Sequence, residues 1–330
     1  MDVVLDTGAE QLRYVGPNGT LVLRGIDAAS IDGDILFVDP RRGIAHRLIR
    51  ASSIHNTLLI TERCDQLCAM CSQPPKAHHV DMFPYFEAAA LLAPRDSVIG
   101  ISGGEPTLFK DQLWPFLRRV LRARPDLSSH ILTNAQHIAP SDLQQLSALP
   151  RESILWGIPL YAADPRCHDE IVGKEGAFER LIESLGLLCR VGAQIELRTV
   201  VMRVNASALP VLARFVTSQL PFIDRWALMQ LENIGYGRKN WGTLFYDSAG
   251  SFTPVAVALD IVRSRGVDAY LYNFPLCTVP EPYRHLAPRS ISDWKQKYLA
   301  ECDECVLHDE CGGFFAWHPE PHGFSRLGLQ

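Results

Sequence analysis

The sequence has no long apolar run. Its longest nonpolar stretch, Ile154 to Ala163, stops after ten residues and contains Gly157 and Pro159, about half of what a membrane-spanning helix needs. A secretory start is missing too, since Met1 to Thr20 include Asp2, Asp6 and Glu10 and lack a cationic segment followed by an apolar one. These absences predict a soluble, cytoplasmic protein with no membrane partner. There is no basic excess: 32 Lys and Arg stand against 37 Asp and Glu, a formal charge of −5. Nucleic acid is therefore not the expected partner. No repeat of fixed period and no low-complexity segment interrupts the chain. What remains is ordinary globular material, with 330 residues, 47% hydrophobic and 21% charged. A chain of that length buries a sizeable core without disulfides.

Residues 1–50 carry short β-type runs at Thr20–Leu23, Ile35–Val38 and Ala45–Ile49, with Asn18-Gly19 and Asp32-Gly33 as turn signals. They read as a small β subdomain. From residue 57 strands and helices alternate. Strands are expected at Thr57–Ile60, Ser97–Ile101, His130–Leu132, Ser153–Pro159, Gln194–Val201 and Phe222–Met229. Helical spacing follows each, as in Leu113, Phe116, Leu117, Val120 and Leu121. Ser141 and Ser207 are expected N-caps. Six such units imply a parallel sheet, either an open partial barrel or a doubly wound sheet. Residues 51–250 form this core. Residues 251–330 add one more helix–strand pair, ending at Ala269–Tyr272, and then a cysteine- and turn-rich tail.

In a reducing compartment nine cysteines are metal ligands, reactive thiols or core residues rather than disulfides. Cys64, Cys68 and Cys71 are spaced C-x3-C-x2-C just after the first strand. Cys302, Cys305 and Cys311 are spaced C-x2-C-x5-C, with Cys277 upstream as a fourth. Cys189 continues the stripe Phe178, Leu181, Ile182, Leu185, Leu188 and is expected to be buried. Cys167 falls in a loop-like Asp164-Pro165-Arg166 setting and receives no role. Thiolates select zinc, copper(I) or iron–sulfur centres. A zinc site wants four ligands, which His78 or His79 could complete at the first motif and His308 at the second. An iron–sulfur cube on three cysteines would keep one iron open to an external ligand. Other special residues also follow strands: Gly103-Gly104-Glu105-Pro106-Thr107, Thr133-Asn134, Tyr161, Asn205 and Glu232. Loops at the carboxyl ends of parallel strands share one face, so these converge on one site.

The run Glu62-Arg63-Cys64-Asp65-Gln66-Leu67-Cys68-Ala69-Met70-Cys71 resembles the cluster motif of the radical S-adenosylmethionine (SAM) superfamily, and Ser102-Gly103-Gly104-Glu105-Pro106-Thr107 resembles its second signature. The resemblance spans roughly residues 57–235 and implies an α/β fold, a partial (β/α)6 barrel. It implies that Cys64, Cys68 and Cys71 hold three irons of a 4Fe-4S cluster whose fourth iron takes the amino and carboxylate groups of SAM. By the same resemblance Gly103, Gly104 and Pro106 form the close-approach segment, and Glu105 holds the methionyl amino group. Thr133 and Asn134 lie near the cofactor, Arg198 and Asn205 reach its carboxylate and ribose, and Met70 meets the adenine through its backbone. The tail resembles an auxiliary-cluster module, which implies a second 4Fe-4S cluster on Cys277, Cys302, Cys305 and Cys311. Phe315 stands where a longer version has a further cysteine.

More narrowly, Leu67 to Lys76, Ser290-Ile291-Ser292-Asp293-Trp294-Lys295 and Cys311-Gly312-Gly313-Phe314-Phe315 resemble maturases of the His-Xaa-Ser peptide-modification system. That implies an enzyme that cleaves SAM to a 5′-deoxyadenosyl radical and abstracts hydrogen from a ribosomally made precursor peptide. Its partners would be that peptide, an external one-electron reductant of flavodoxin or ferredoxin type, and a second radical SAM protein. A radical SAM enzyme acting on a small molecule or RNA, and a non-catalytic peptide-binding subunit stabilised by zinc or a cluster, stay open as alternatives. So does leader-peptide binding by residues 1–50. No side chain is assigned as catalytic.

Overall fold

The computed structural model describes residues 2–3, 11–16, 19–24, 30–53, 56–321 and 323–327. The chain opens with antiparallel strands β1 (Asp2–Val3), β2 (Gln11–Gly16) and β3 (Gly19–Arg24), followed by the hairpin of β4 (Ile35–Asp39) and β5 (Ile44–Ile49). Gly16 and Gly19 pair across the first hairpin, while Asn18 of the expected turn lies outside the described residues. Asp32-Gly33 falls in the turn entering β4, with Gly33 at φ +75°.

Strand and helix then alternate through β6 (Asn56–Thr61), α1 (Phe83–Leu92), β7 (Val98–Gly103), α2 (Lys110–Ala123), β8 (Ser128–Leu132), α3 (Leu143–Ser147) and β9 (Ile154–Pro159). They continue through α4 (Pro165–Val172), α5 (Ala177–Arg190), β10 (Gln194–Val201), α6 (Leu209–Gln219) and β11 (Arg225–Gln230). The series closes with α7 (Gly235–Lys239), α8 (Trp241–Leu244), α9 (Thr253–Arg263) and β12 (Asp268–Tyr272). Strands β6 to β12 form one sheet in chain order, every neighbouring pair parallel. A doubly wound sheet would reverse its strand order part-way across. This one never does, so it is an open barrel sector. It has seven strands rather than six, because the α9–β12 unit after Gly250 pairs with β11 and extends the sheet.

Side chains alternate across the strands. One set, including Ile101, Ile131, Ile158, Leu197, Trp226 and Leu271, is fully buried and packs against Leu117, Leu185, Val216 and Val262 of the helices. The other set faces the concave side and is partly polar, with Ser102, His130, Glu196 and Arg198 among it. The ends of the sheet's strands therefore meet a lumen that apolar packing does not fill.

Three local expectations are corrected. Ser141 and Ser207 lie inside short 3-10 turns (Pro140–Asp142 and Ala206–Ala208) that precede α3 and α6, so neither is an N-cap. Cys167 sits in α4, not a loop: Asp164 caps that helix by accepting from the Cys167 amide at 2.8 Å, and Pro165 begins it. Cys189 is exposed. Its stripe is centred on Leu181, Leu185 and Leu188, and Ile182 at the same edge is itself only half-buried.

The tail ends in the antiparallel pair β13 (Gln296–Lys297) and β14 (Phe314–Phe315). Among the described residues no helix is long and apolar enough to cross a membrane.

Candidate active site

After β6 the chain crosses the strand ends as a loop with little regular structure, and its neighbours hold it. The Leu67 and Ala69 amides donate to the Val172 and Ile171 carbonyls at 2.9 Å each. That approach needs Gly173 (φ +65°), where an added Cβ would lie 2.9 Å from the Leu67 carbonyl oxygen. From the far side Tyr236 N donates to Cys71 O at 2.8 Å and Asn240 Nδ2 to Ala69 O at 2.8 Å. Asp65, between the first two cysteines, accepts from Asn134 Nδ2 at 2.9 Å, stands 3.2 Å from His137 Nε2 and pairs with Lys174. Burial opposes ionisation of Asp65, yet those three partners hold its carboxyl well below the usual range.

The loop after β7 docks against this one. Gly104 N donates to Thr61 O and Glu105 N to Arg63 O, both at 2.7 Å. The contact is so close that a Cβ at Gly103 would lie 2.1 Å from Thr61 O and one at Gly104 2.1 Å from Arg63 O. The two glycines thus let the loops pack backbone to backbone, and both also border the cavity described below. Glu105 is fully buried. Its Oε1 accepts from Thr107 N at 2.8 Å, Thr133 Oγ1 at 2.6 Å and the Thr107 hydroxyl, and its Oε2 from Asn134 N at 2.6 Å. One carboxylate therefore ties the β7 loop to the β8 loop. Burial raises its carboxyl, against the pull of those hydrogen bonds.

These loops enclose a cavity of about 300 Å³ at the carboxyl ends of the strands. Cys64, Cys68 and Cys71 line it, as do Met70, Gly103, Gly104, Thr133, Asn134 and Arg198. Three expected contacts do not. Glu105 and Pro106 stand behind the wall, Glu105 with both oxygens already engaged. Asn205 is also behind it, its amide locked to Met202 N, Tyr161 O and Val200 O. The alternative ligands do not reach the cavity either. His78 is exposed, and His79 stacks on Phe109 at 3.8 Å with Nδ1 3.1 Å from Thr61 Oγ1.

Two wall residues have no role in the sequence reading beyond lying after strands. Tyr161 is 8% exposed and stacks on His168. Glu232 has its carboxyl pushed up to about 6 by burial, with Lys295 and Arg198 pulling the other way. Their position after β9 and β11 was the available signal.

The donor set fits a thiolate-bound cluster. Burial first, and negative neighbours after it, push the Cys64 thiol up to about 11 and Cys68 up to about 12, and burial raises Cys71. Without a cation these sulfurs keep their protons, and a cationic centre would displace them. Among the described residues no three His, Cys, Asp or Glu side chains gather as around a single ion. All three thiols line the one cavity, and a cluster would take each sulfur on a separate iron.

A second recess in the tail brings together Cys277, Cys302, Cys305 and Cys311 with Tyr298 and His308. Cys311 is buried, and its Sγ accepts from Leu276 N and Gly313 N at 3.3 Å each. Those contacts bind the Cys277 segment to the last cysteine motif. Phe315 stacks on Trp317 at 5.1 Å.

The strand-end cavity of this open parallel barrel thus brings three thiols beside a glycine-lined loop. Residues 58–216 match the Radical SAM superfamily, and over that stretch the chain is a radical SAM domain. Among solved structures, SuiB of Streptococcus suis bound to S-adenosylmethionine superposes with a TM-score of 0.52 at 18% identity, covering 65% of this chain and 49% of that one. SuiB bound to the precursor peptide SuiA gives 0.52 at 19% identity, covering 65% and 48%. The chain thus spans about half the length of these structures, and the likeness is one of fold. No curated protein sequence matches the chain.

Proposed function

We propose that this protein is a radical SAM enzyme, a maturase that modifies a ribosomally made precursor peptide. The carrying observation is the shared cavity, where three thiols, a glycine pair, Asn134 and Arg198 meet at the strand ends of a radical SAM domain. Cys64, Cys68 and Cys71 would hold the 4Fe-4S cluster, Met70, Gly103, Gly104, Thr133 and Asn134 would border SAM, and Arg198 would face its carboxylate. When bound, cluster and SAM supply one-electron cleavage to a 5′-deoxyadenosyl radical for hydrogen abstraction. The chain's own residues supply position and exclusion: the Asp65 tethers fix the cysteine loop, and Glu105 fixes the two loops that border the cavity.

The tail recess supports an auxiliary cluster on Cys277, Cys302, Cys305 and Cys311, with backbone donors already aimed at Cys311. A peptide substrate is supported by the motif resemblance and by a fold shared with a protein solved in complex with its precursor peptide. An external one-electron reductant and a partner radical SAM protein complete the proposal, in the cytoplasm. Anaerobically reconstituted protein is to be incubated with SAM, dithionite and the candidate peptide. The expected result is 5′-deoxyadenosine together with a mass change on the peptide. 5′-Deoxyadenosine formed with an unmodified peptide would remove the substrate assignment, and none formed with cluster and SAM bound would remove the catalytic one.

A further inference from the structure

The concave face beneath the cavity carries a buried charged assembly where barrel interiors are ordinarily packed with apolar side chains. Arg198 borders the cavity with its side chain 19% exposed, whereas Glu196, two residues earlier on β10, is 1% exposed. Arg198 Nη1 donates to Glu196 Oε1 at 2.6 Å. Tyr272 OH donates to Glu196 Oε2 at 3.1 Å, and the Tyr272 ring lies 5.6 Å from the Arg198 guanidinium carbon. From the opposite side His130 Nε2 comes within 3.3 Å of Glu196 Oε1. Burial alone would raise the Glu196 carboxyl, but His130 and Arg198 overcome it and hold it down at about 2.

The assembly depends on one missing side chain. His130 is on β8 and Glu196 on β10, with β9 between them, and adjacent strands stand about 4.8 Å apart. The residue of β9 paired with Glu196 is Gly157. A Cβ there would lie 2.8 Å from His130 Nε2, 2.6 Å from Leu132 Cδ2 and 3.0 Å from Arg198 Cδ. The glycine opens the gap that the histidine and the arginine both use.

A free arginine at a cavity wall samples many rotamers and must be ordered when an anion arrives. One locked in advance avoids that cost, and a guanidinium holding one carboxylate through Nη1 keeps further donors for a second. We propose that Glu196, held by Tyr272 with His130 close beside it, is a positioning residue that holds Arg198 as the receptor for the carboxylate of the sulfonium cofactor. This rests on the radical SAM reading above and adds Glu196, His130 and Tyr272, none of which lines the cavity.

The test compares binding of SAM with that of decarboxylated SAM, which lacks only the carboxylate, on anaerobically reconstituted wild type, Glu196→Gln, Tyr272→Phe and Gly157→Ala. Affinities are read by equilibrium dialysis, with iron content and thermal midpoint beside them. Wild type is expected to favour SAM by well over tenfold, because the carboxylate would serve both the open iron and Arg198, the charge-assisted pair accounting for about tenfold of it. In Glu196→Gln and Gly157→Ala that preference should fall about threefold or more below the wild-type ratio, with iron retained. A general loss of packing would weaken both ligands equally and leave their ratio alone. Tyr272→Phe, which removes one hydrogen bond, should lower the ratio about twofold and carries the test if Glu196→Gln does not fold. An unchanged ratio in the variants overturns the proposal, as does a wild type that binds both ligands alike. A wild type that keeps its cluster and binds neither overturns the radical SAM reading instead.

Discussion

Replacing Glu105 by Gln separates two roles for this carboxylate. All four groups on Glu105 are donors: the Thr107 and Asn134 amides and the Thr107 and Thr133 hydroxyls. The hydroxyls can turn and accept from a glutamine NH2, but the two backbone N–H groups cannot. They sit on opposite oxygens, so either amide orientation leaves one buried N–H facing another donor. An orphaned buried N–H costs ~1–3 kcal/mol, and the surviving bonds lose ~1 kcal/mol of charge assistance. Relief from burying a charge offsets part of this, which leaves about 1–3 kcal/mol. With ~2.1 cal/mol/K per residue of unfolding entropy, a chain of 330 residues loses ~0.7 kcal/mol per degree, so the midpoint should drop about 1.5–4 °C. The assay is thermal unfolding of the metal-free, cofactor-free protein. A residue that served only to hold the methionyl amino group would leave this apo protein unchanged. A midpoint within 1 °C of wild type would refute the reasoning.

Gly104→Ala should uncouple the two loops, because its Cβ would sit 2.1 Å from the Arg63 carbonyl oxygen and no flexible side chain is there to yield; reconstituted iron should fall by more than half at equal folded protein. Asp65→Asn removes the charge that holds Lys174 and His137 to the cysteine loop, and limited proteolysis should cut between residues 62 and 80 faster than in wild type. The third concerns acid. His168 is buried to 1% exposure, and burial lowers its pKa from 6.5 to about 4. The unfolded chain binds that proton first, so this contribution is fully present above pH 6.5 and is lost as pH falls toward 4. At ~1.36 kcal/mol per pH unit the limit is about 3.4 kcal/mol, of which about 1.4 is gone by pH 5.5. Denaturant unfolding of wild type should show that slope and His168→Gln should flatten it.

The strands were legible because period-2 burial writes itself into residues such as Ile195, Leu197, Thr199 and Val201, and β10 begins and ends where the sequence predicts. The seventh strand was visible, but its membership of the sheet is a long-range pairing that no local pattern encodes. Helix α4 was hidden because Asp164-Pro165, an N-cap and a first-turn proline, also reads as a turn. At the site, spacing and strand-end position, with the family resemblance supplying Met70 and Arg198, pointed to nine residues that line one cavity. Glu105 and Asn205 stand behind the cavity wall, and lying after a strand does not say whether a side chain faces the cavity or the neighbouring loop. The Glu196 assembly was invisible, since its partners come from three different strands and meet across a glycine.

Counting iron and acid-labile sulfide per chain, in anaerobically reconstituted wild type and in a Cys64/Cys68/Cys71→Ala variant, tests the central claim most directly. The account predicts that the triple variant loses about four irons with their sulfide, while whatever the tail cysteines hold is unchanged. Equal iron in both proteins, or zinc without sulfide at the Cys64 loop, would contradict it.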